Sequence, residues 1–200
     1  MGYPRILEEL INYLRKLPGV GEKTAERLAL SLIELRKEDL ENFSTIIKKL
    51  PLNLHKCKIC GHLSDDEICS ICSSEGRTKT SICVVEDYKS VFMFERVGSF
   101  KGVYHVLDGL ISPVDGVSPD DINISSLIER IKSGNDDVEI IIALKPSIEG
   151  ETTTLYIKKI LEKYNVTISR LSYGIPMGVE IDYLDSLTLE RALKDRKEIS

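Results

Sequence analysis

Apolar positions recur at intervals of three and four through the first fifty residues and later give way to short apolar blocks alternating with helical pattern. The chain is therefore expected to begin helical and continue as α/β. Over residues 5–17, Ile6, Leu7, Leu10, Ile11, Leu14 and Leu17 fall on one helix face. Pro18-Gly19-Val20-Gly21 then breaks the periodicity. A second helix from about residue 22 turns Ala25, Leu28, Ala29, Leu32 and Ile33 inward, and a third, over residues 38–50, is expected to stop at Pro51. From residue 81 the pattern predicts strand 81–86, helix 88–96, strand 102–107, a Gly/Pro/Asp-rich loop 108–119, helix 124–131, strand 138–144, helix 151–163 and strand 166–169. Such alternation calls for a mostly parallel sheet with helices on both faces. Residues 175–200 are expected to add a short extended piece and a helix over 187–197.

Composition refines this picture. Two hundred residues at 42% hydrophobic content suffice for a core in one large domain or two to three small ones. No apolar run approaches the ~20 residues of a membrane span, and the N-terminus lacks a basic-then-apolar signal pattern, so the expected location is the cytoplasm. The net charge of −5 argues against a protein coated in nucleic acid. Its distribution is uneven: residues 1–60 hold 11 Lys+Arg against 8 Asp+Glu, and the remaining 140 hold 16 against 24. Any phosphate contact should therefore be local and N-terminal.

The densest chemistry is CKICGHLSDDEICSIC, two C-x-x-C pairs eight residues apart: Cys57 and Cys60, then Cys69 and Cys72. Each pair can place two thiolates on a tight turn, and two facing turns complete the tetrahedral four-sulfur shell of one structural Zn²⁺. Gly61 eases the first turn. Between the pairs only Leu63 and Ile68 are large and apolar, so metal must supply much of the local folding free energy. Two disulfides, a redox pair and an iron–sulfur cluster are the alternatives, with His55 or His62 as substitute ligands in a mixed site. Cys83 lies inside a strand pattern and reads as a small core residue. His105 reads as a core or edge histidine.

Helix, L-P-G-V-G, helix has the form of a helix-hairpin-helix motif. Gly19 and Gly21 would open backbone N–H groups at the start of the second helix, where the dipole favours an anion, so one DNA phosphate can dock without any base being read. Lys23 and Arg27, four apart on that helix, can reach adjacent phosphates, and Arg15 and Lys16 approach from the first helix. An ordinary αα-hairpin with a solvated basic face is the alternative. Further on, Lys145-Pro146-Ser147-Ile148-Glu149-Gly150-Glu151, with Glu86 at the end of the first long strand, resembles the Toprim domain. By that resemblance Lys145 and Ser147 stand where the family has metal-holding aspartates, which implies the fold without the chemistry. Glu86, Glu149 and Glu151 could still form an acidic edge for a basic partner or a loosely held cation. Alternatively, Glu149 and Glu151 merely complement a helix start.

The ordered set, LPGVG, then C-x2-C-x8-C-x2-C, ICVVE, YHVLDGLISPVDG and IEGE, resembles the RecR family of bacterial recombination proteins along nearly the whole chain. Gly178-Val179-Glu180-Ile181-Asp182-Tyr183 departs from the family's usual G-G-x-L-E-Y. The resemblance implies a non-enzymatic mediator of recombinational repair that works with RecO and RecF, helps clear single-strand-binding protein and loads RecA at gaps. It also implies a ring tetramer built from dimers, DNA contacts at Lys23 and Arg27, and RecO docking on the acidic edge. The expected division is a helix-hairpin-helix DNA-binding domain over 1–53, a zinc module over 54–79, a Toprim-like domain over 80–174 and a C-terminal extension over 175–200. Two other functions fit the residues: a Mg²⁺-dependent nuclease or strand-transfer enzyme using Glu86, Glu149 and Glu151, and a zinc-stapled interaction module without a DNA role.

Overall fold

In the computed structural model, which describes residues 2–133, 137–172, 174–175 and 178–196, the apolar periodicity of the N-terminal residues becomes three helices. These are α1 (Arg5–Leu14), α2 (Glu22–Ile33) and α3 (Lys37–Asn53). They make up the first of two compact units, Met1–Asn53, the second being Leu54–Ser200. Helix α1 is shorter than its apolar pattern because residues 15–17 tighten into a turn, Lys16 donating to the Tyr13 carbonyl and Leu17 to that of Leu14, both at 3.1 Å. Pro51 does not stop α3 but sits in its last turn, where the loss of one hydrogen bond disturbs least. The unit's core is small: Leu7 and Ile11 of α1 close on Ala25 and Ala29 of α2, with Leu10, Leu14 and Val20 packed around them. Much of the apolar pattern therefore faces outward. Ile6 is 80% and Ile33 63% exposed, and α3 buries no residue.

The second unit opens with a small antiparallel hairpin, β1 (His55–Lys56) with β2 (Leu63–Ser64), and a one-turn helix α4 (Ser70–Ser73). The alternating pattern then appears as β3 (Thr78–Val85), α5 (Tyr88–Val97), β4 (Gly102–Val106), α6 (Ile124–Ser133), β5 (Val138–Ala143), α7 (Ile148–Leu161), β6 (Val166–Arg170) and α8 (Ser186–Lys194). All four long strands run parallel in the order β4-β3-β5-β6. The second half of β3, residues 82–85, is a continuous apolar run because it lies between β4 and β5, and the core collects there: Val84, Val85, Val103, Leu107, Leu127, Ile140, Ile157 and Leu161 are inaccessible to solvent. The chain leaves β3 toward β4 and returns by way of α6 to β5 on its other side. The carboxyl ends of β3 and β5 thus flank a topological switch point, the place where open α/β sheets form a crevice.

Caps explain where the elements begin. Asp87 accepts from the Ser90 N–H at 3.0 Å and starts α5, and Ser147 accepts from the Gly150 N–H at 3.2 Å and starts α7 three residues before the expected residue 151. Among the described residues of the C-terminal tail, a 3₁₀ turn, Ile181–Tyr183, precedes the last helix and no strand is formed; residues 176–177 lie outside the described residues, as does Lys197 at the expected end of that helix.

His105 is a core histidine on an edge strand, for every residue of β4 is buried. Its Nε2–H donates to the Asn123 carbonyl at 2.7 Å, while Nδ1 has no partner among the described residues. Burial pushes its pKa down from 6.5 to about 4, the nearby Arg130 adding to the effect and the bond to Asn123 opposing it. The folded form thus keeps the ring neutral. In the unfolded chain the ring protonates below pH 6.5, so the stability tied to the neutral ring is complete above that pH and is lost as pH falls toward 4. The loss should reach about 3 kcal/mol. Denaturant unfolding at pH 7 and pH 4.5 is expected to show this fall, and His105→Gln is expected to flatten the pH dependence while lowering stability at pH 7.

Candidate functional sites: a sulfur cluster, a glycine turn and a closed crevice

The β1–β2 hairpin and α4 bring Cys57, Cys60, Cys69 and Cys72 together, all buried, with their sulfur atoms within 4.8 Å of one another. The first turn closes through Gly61 N–H to the Cys57 carbonyl at 2.9 Å and Cys57 N–H to the His62 carbonyl at 2.7 Å; the second through Ser73 N–H to the Cys69 carbonyl at 3.0 Å. Cys60 and Cys69 Sγ are 3.6 Å apart, close to the edge of about 3.8 Å in a tetrahedron of sulfurs at about 2.3 Å from zinc. Backbone N–H groups of His62, Cys69 and Cys72 point at Cys60, Cys57 and Cys69 Sγ at 3.4, 3.3 and 3.5 Å, as thiolates require. The Cys60 and Cys72 thiols hold Cys69 far below the ordinary thiol range, while sharing a proton with Cys69 pushes Cys60 far up. Thiols this close share protons among themselves, and a divalent cation would let all four sulfurs ionise. The donor set fits zinc. His55 and His62 do not join it: His55 is exposed on β1, and His62 packs edge-on against Phe92 with ring centroids 4.8 Å apart. Cys83 is buried in β3, outside the cluster, and burial pushes its thiol up to about 12.

In the N-terminal unit, Gly19 takes a left-handed conformation (φ +79°) that a side chain would strain. Gly21 is the N-cap of α2 and offers no side-chain cap, so the first N–H groups of that helix are left open; a Cβ there would meet nothing within 4 Å. Lys23 and Arg27 are exposed along α2, and Arg15 is exposed at the C-cap of α1. None of the three has an ion-pair partner among the described residues. Lys16 lies over the Tyr13 ring, 4.3 Å from its centroid. Glu22, in the first turn of α2, is the acid closest in sequence to the turn.

At the switch point, Lys145 Nζ lies 3.3 Å from Glu86 Oε1. The turn after β5 curls so tightly that a Cβ on Gly150 would lie 2.0 Å from the Lys145 carbonyl oxygen. The three glutamates do not share one environment. Glu86 pairs with Lys145; Glu151 pairs with Arg191 at 3.0 Å and Arg170 at 3.4 Å; and Glu149 sits in the first turn of α7, its carboxyl held below the ordinary range by the Ser147 hydroxyl and the turn's own backbone N–H. Among the described residues, the four cysteines are the only group of three or more His, Cys, Asp or Glu at metal-binding distance. No sequence pattern announced Arg170 and Arg191, which lie 19 and 40 positions from Glu151 and meet it only through β6 and α8.

Comparison with known families matches residues 7–50 to the RecR helix-hairpin-helix, residues 54–74 to the RecR four-cysteine zinc finger domain, residues 80–172 to the Toprim domain and residues 174–197 to the RecR C-terminal region. The chain is 42% identical to "Recombination protein RecR" of Lactobacillus acidophilus over 196 residues, 98% of both chains. It is also 42% identical to the protein of that name from Staphylococcus aureus strain MRSA252 over 200 residues, 100% of both. The chain belongs to the RecR family. A recombination protein with helix-hairpin-helix, four-cysteine zinc-finger and Toprim parts is thus described, and the sulfur cluster is the centre of its RecR zinc finger. No described helix is long and apolar enough to cross a membrane.

Because the RecR zinc finger contains so few apolar groups, loss of one sulfur should melt it. Cys69→Ser is expected to abolish bound zinc in elemental analysis and to lower the melting temperature by about 10 °C, the equivalent of roughly 3 kcal/mol in a chain of this size.

Proposed function

We propose that this RecR-family chain is a non-enzymatic DNA-binding mediator of recombinational repair, acting in the cytoplasm with RecO and RecF to promote RecA loading at gaps. The observation that carries this reading is the open glycine turn of the N-terminal unit. Gly19 and Gly21 leave the start of α2 bare, Lys23 and Arg27 stand unpaired beside it, and Arg15 and Lys16 flank it, within the first 60 residues, where 11 Lys+Arg stand against 8 Asp+Glu. Phosphate bound this way is read by charge and backbone N–H groups, so the binding is sequence-independent. The zinc module, 54–79, would hold one structural Zn²⁺ through Cys57, Cys60, Cys69 and Cys72, leaving no ligand position for chemistry. The Toprim-like part, 80–174, would act as a scaffold, since Lys145 already neutralises Glu86 at the crevice. RecO docking, which the notion of one acidic edge at Glu86, Glu149 and Glu151 implied, would rest on Glu149 and the crevice around it, because Glu86 is paired with Lys145 and Glu151 with Arg170 and with Arg191 of α8.

The N-terminal unit also supports an assembly into a ring tetramer, a dimer of dimers. A unit of this size with four buried apolar residues, two of them alanines, cannot stand on its own core, and α3 presents Phe43, Ile46, Ile47 and Leu50 to solvent. A second copy would cover that face. Such a ring explains how subunits of net negative charge surround DNA: the basic turns line the opening.

Lys23→Ala combined with Arg27→Ala is expected to weaken DNA binding about tenfold at low salt and to flatten its salt dependence, without a change in sequence preference or in circular dichroism. A titration of the purified oligomer across a salt series checks this, and intact DNA is expected after incubation with Mg²⁺; unchanged affinity, or Mg²⁺-dependent cleavage lost in Glu86→Ala, overturns the reading. Phe43→Asp with Ile47→Asp is expected to shift the species seen by light scattering to a smaller mass.

A further inference from the structure

Helix α5 carries an outer face unlike the rest of its acidic unit. Lys89, Phe92, Met93 and Arg96 stand at i, i+3, i+4 and i+7, hence on one side of the helix. Phe92 is 50% and Met93 57% exposed, and the adjoining Val97 is 73% exposed. Lys89 and Arg96 are exposed and have no ion-pair partner among the described residues. The acids near this helix are turned elsewhere. Glu95 pairs inward with Arg77 and accepts from the Tyr104 hydroxyl at 2.7 Å, and Asp87 spends its carboxylate on the Ser90 cap. Phe92 is also braced: the Tyr88 ring meets it at 6.4 Å and 84°, and the His62 ring at 4.8 Å and 65°. Two edge-on neighbours fix the ring and prevent it from folding back onto the surface.

We propose that the outer face of α5 is a contact for single-stranded nucleic acid, separate from the glycine turn, with bases lying on Phe92 and Met93 and phosphates held by Lys89 and Arg96. The two cations are seven residues apart, about 10.5 Å along the helix, far enough apart to engage different phosphates of one strand. Bases stack on an exposed aromatic ring whatever their sequence, and lysine and arginine track the backbone. Duplex DNA offers the same charge but keeps its bases stacked on each other, leaving the apolar centre of this face without a partner. Charge complementarity excludes a basic partner. An acidic protein segment has the right sign, but a ring held exposed between two cations is the platform on which unpaired bases stack.

The test is fluorescence anisotropy of a labelled oligothymidine, titrated with the full-length chain across a salt series. Lys89→Ala with Arg96→Ala, both at exposed positions, is expected to lower the salt slope by about 1.4, two single-strand phosphates at about 0.7 each, and to weaken binding about tenfold at low salt. Phe92→Leu, which keeps an apolar group against His62, is expected to weaken binding about fivefold and leave the slope unchanged. Both effects should persist in the Lys23→Ala, Arg27→Ala background, so this site and the glycine turn can stand or fall separately. An unchanged slope in the Lys89/Arg96 variant overturns the proposal. So does an equal loss on duplex DNA of the same length. Binding of an Asp- and Phe-rich peptide that requires Lys89 and Phe92, with oligothymidine unaffected, assigns the face to a protein instead.

Discussion

Four sulfur atoms within 4.8 Å of one another lie at the centre of a segment with few apolar residues, and that segment is bonded to the sheet from both of its cysteine turns. The first cysteine turn is bonded directly to the end of β4, Val106 N–H reaching the Cys60 carbonyl at 2.7 Å. The second is bonded to β3, the Lys79 ammonium reaching the Cys72 carbonyl at 2.6 Å. His62, between the pairs, braces Phe92 of α5. The cluster therefore acts on the sheet through backbone carbonyls and one ring. A metal that neutralises four thiolates would stabilise all of these contacts together, because none survives if the turns open.

Charge in this protein is organised locally. The sum is −5, yet among the described residues Arg15, Lys16, Lys23 and Arg27 of the N-terminal turn and Lys89 and Arg96 on the outside of α5 join no salt bridge, while the carboxylates of the sheet edge are taken up by cations from other elements: Glu86 by Lys145, Glu151 by Arg170 and Arg191, Asp108 by Lys56. Individually these exposed pairs contribute little to stability. Their consequence is where free charge is left over. A surface whose acids are internally paired and whose few cations are unpaired presents a local positive potential to an approaching polyanion, whatever the net charge.

Element identity was legible in the chain because it depends on periodicity. Ile6 through Leu17 announced a helix, Ser81 through Glu86 a buried parallel strand, and C-x2-C twice a sulfur shell, and each is found. Boundaries were less legible. Ser147 starts α7 before residue 151 because one hydroxyl satisfies a backbone N–H, and Pro51 is tolerated because it falls in a last turn. Burial was less legible still: Leu28 and Ile33 fit the apolar stripe of α2, yet only Ala25 and Ala29 are enclosed, since a stripe says which face is apolar and not whether anything covers it.

By itself, then, the order of residues determined the helix-hairpin-helix start, the four-cysteine set and the alternating α/β pattern, all properties of spacing along the chain, and their order carried the resemblance to the family. The tertiary structure decided which charges remain free. Glu86, Glu149 and Glu151 read as one acidic edge until the switch point put Lys145 against the first, the Ser147 cap beside the second, and β6 and α8 put arginines on the third. Lys89, Phe92, Met93 and Arg96 read as part of an ordinary crossover helix until Glu95 was found turned inward and Phe92 held between two rings. Ion pairing and exposure are set by groups far apart in sequence, and only the fold brings those groups together.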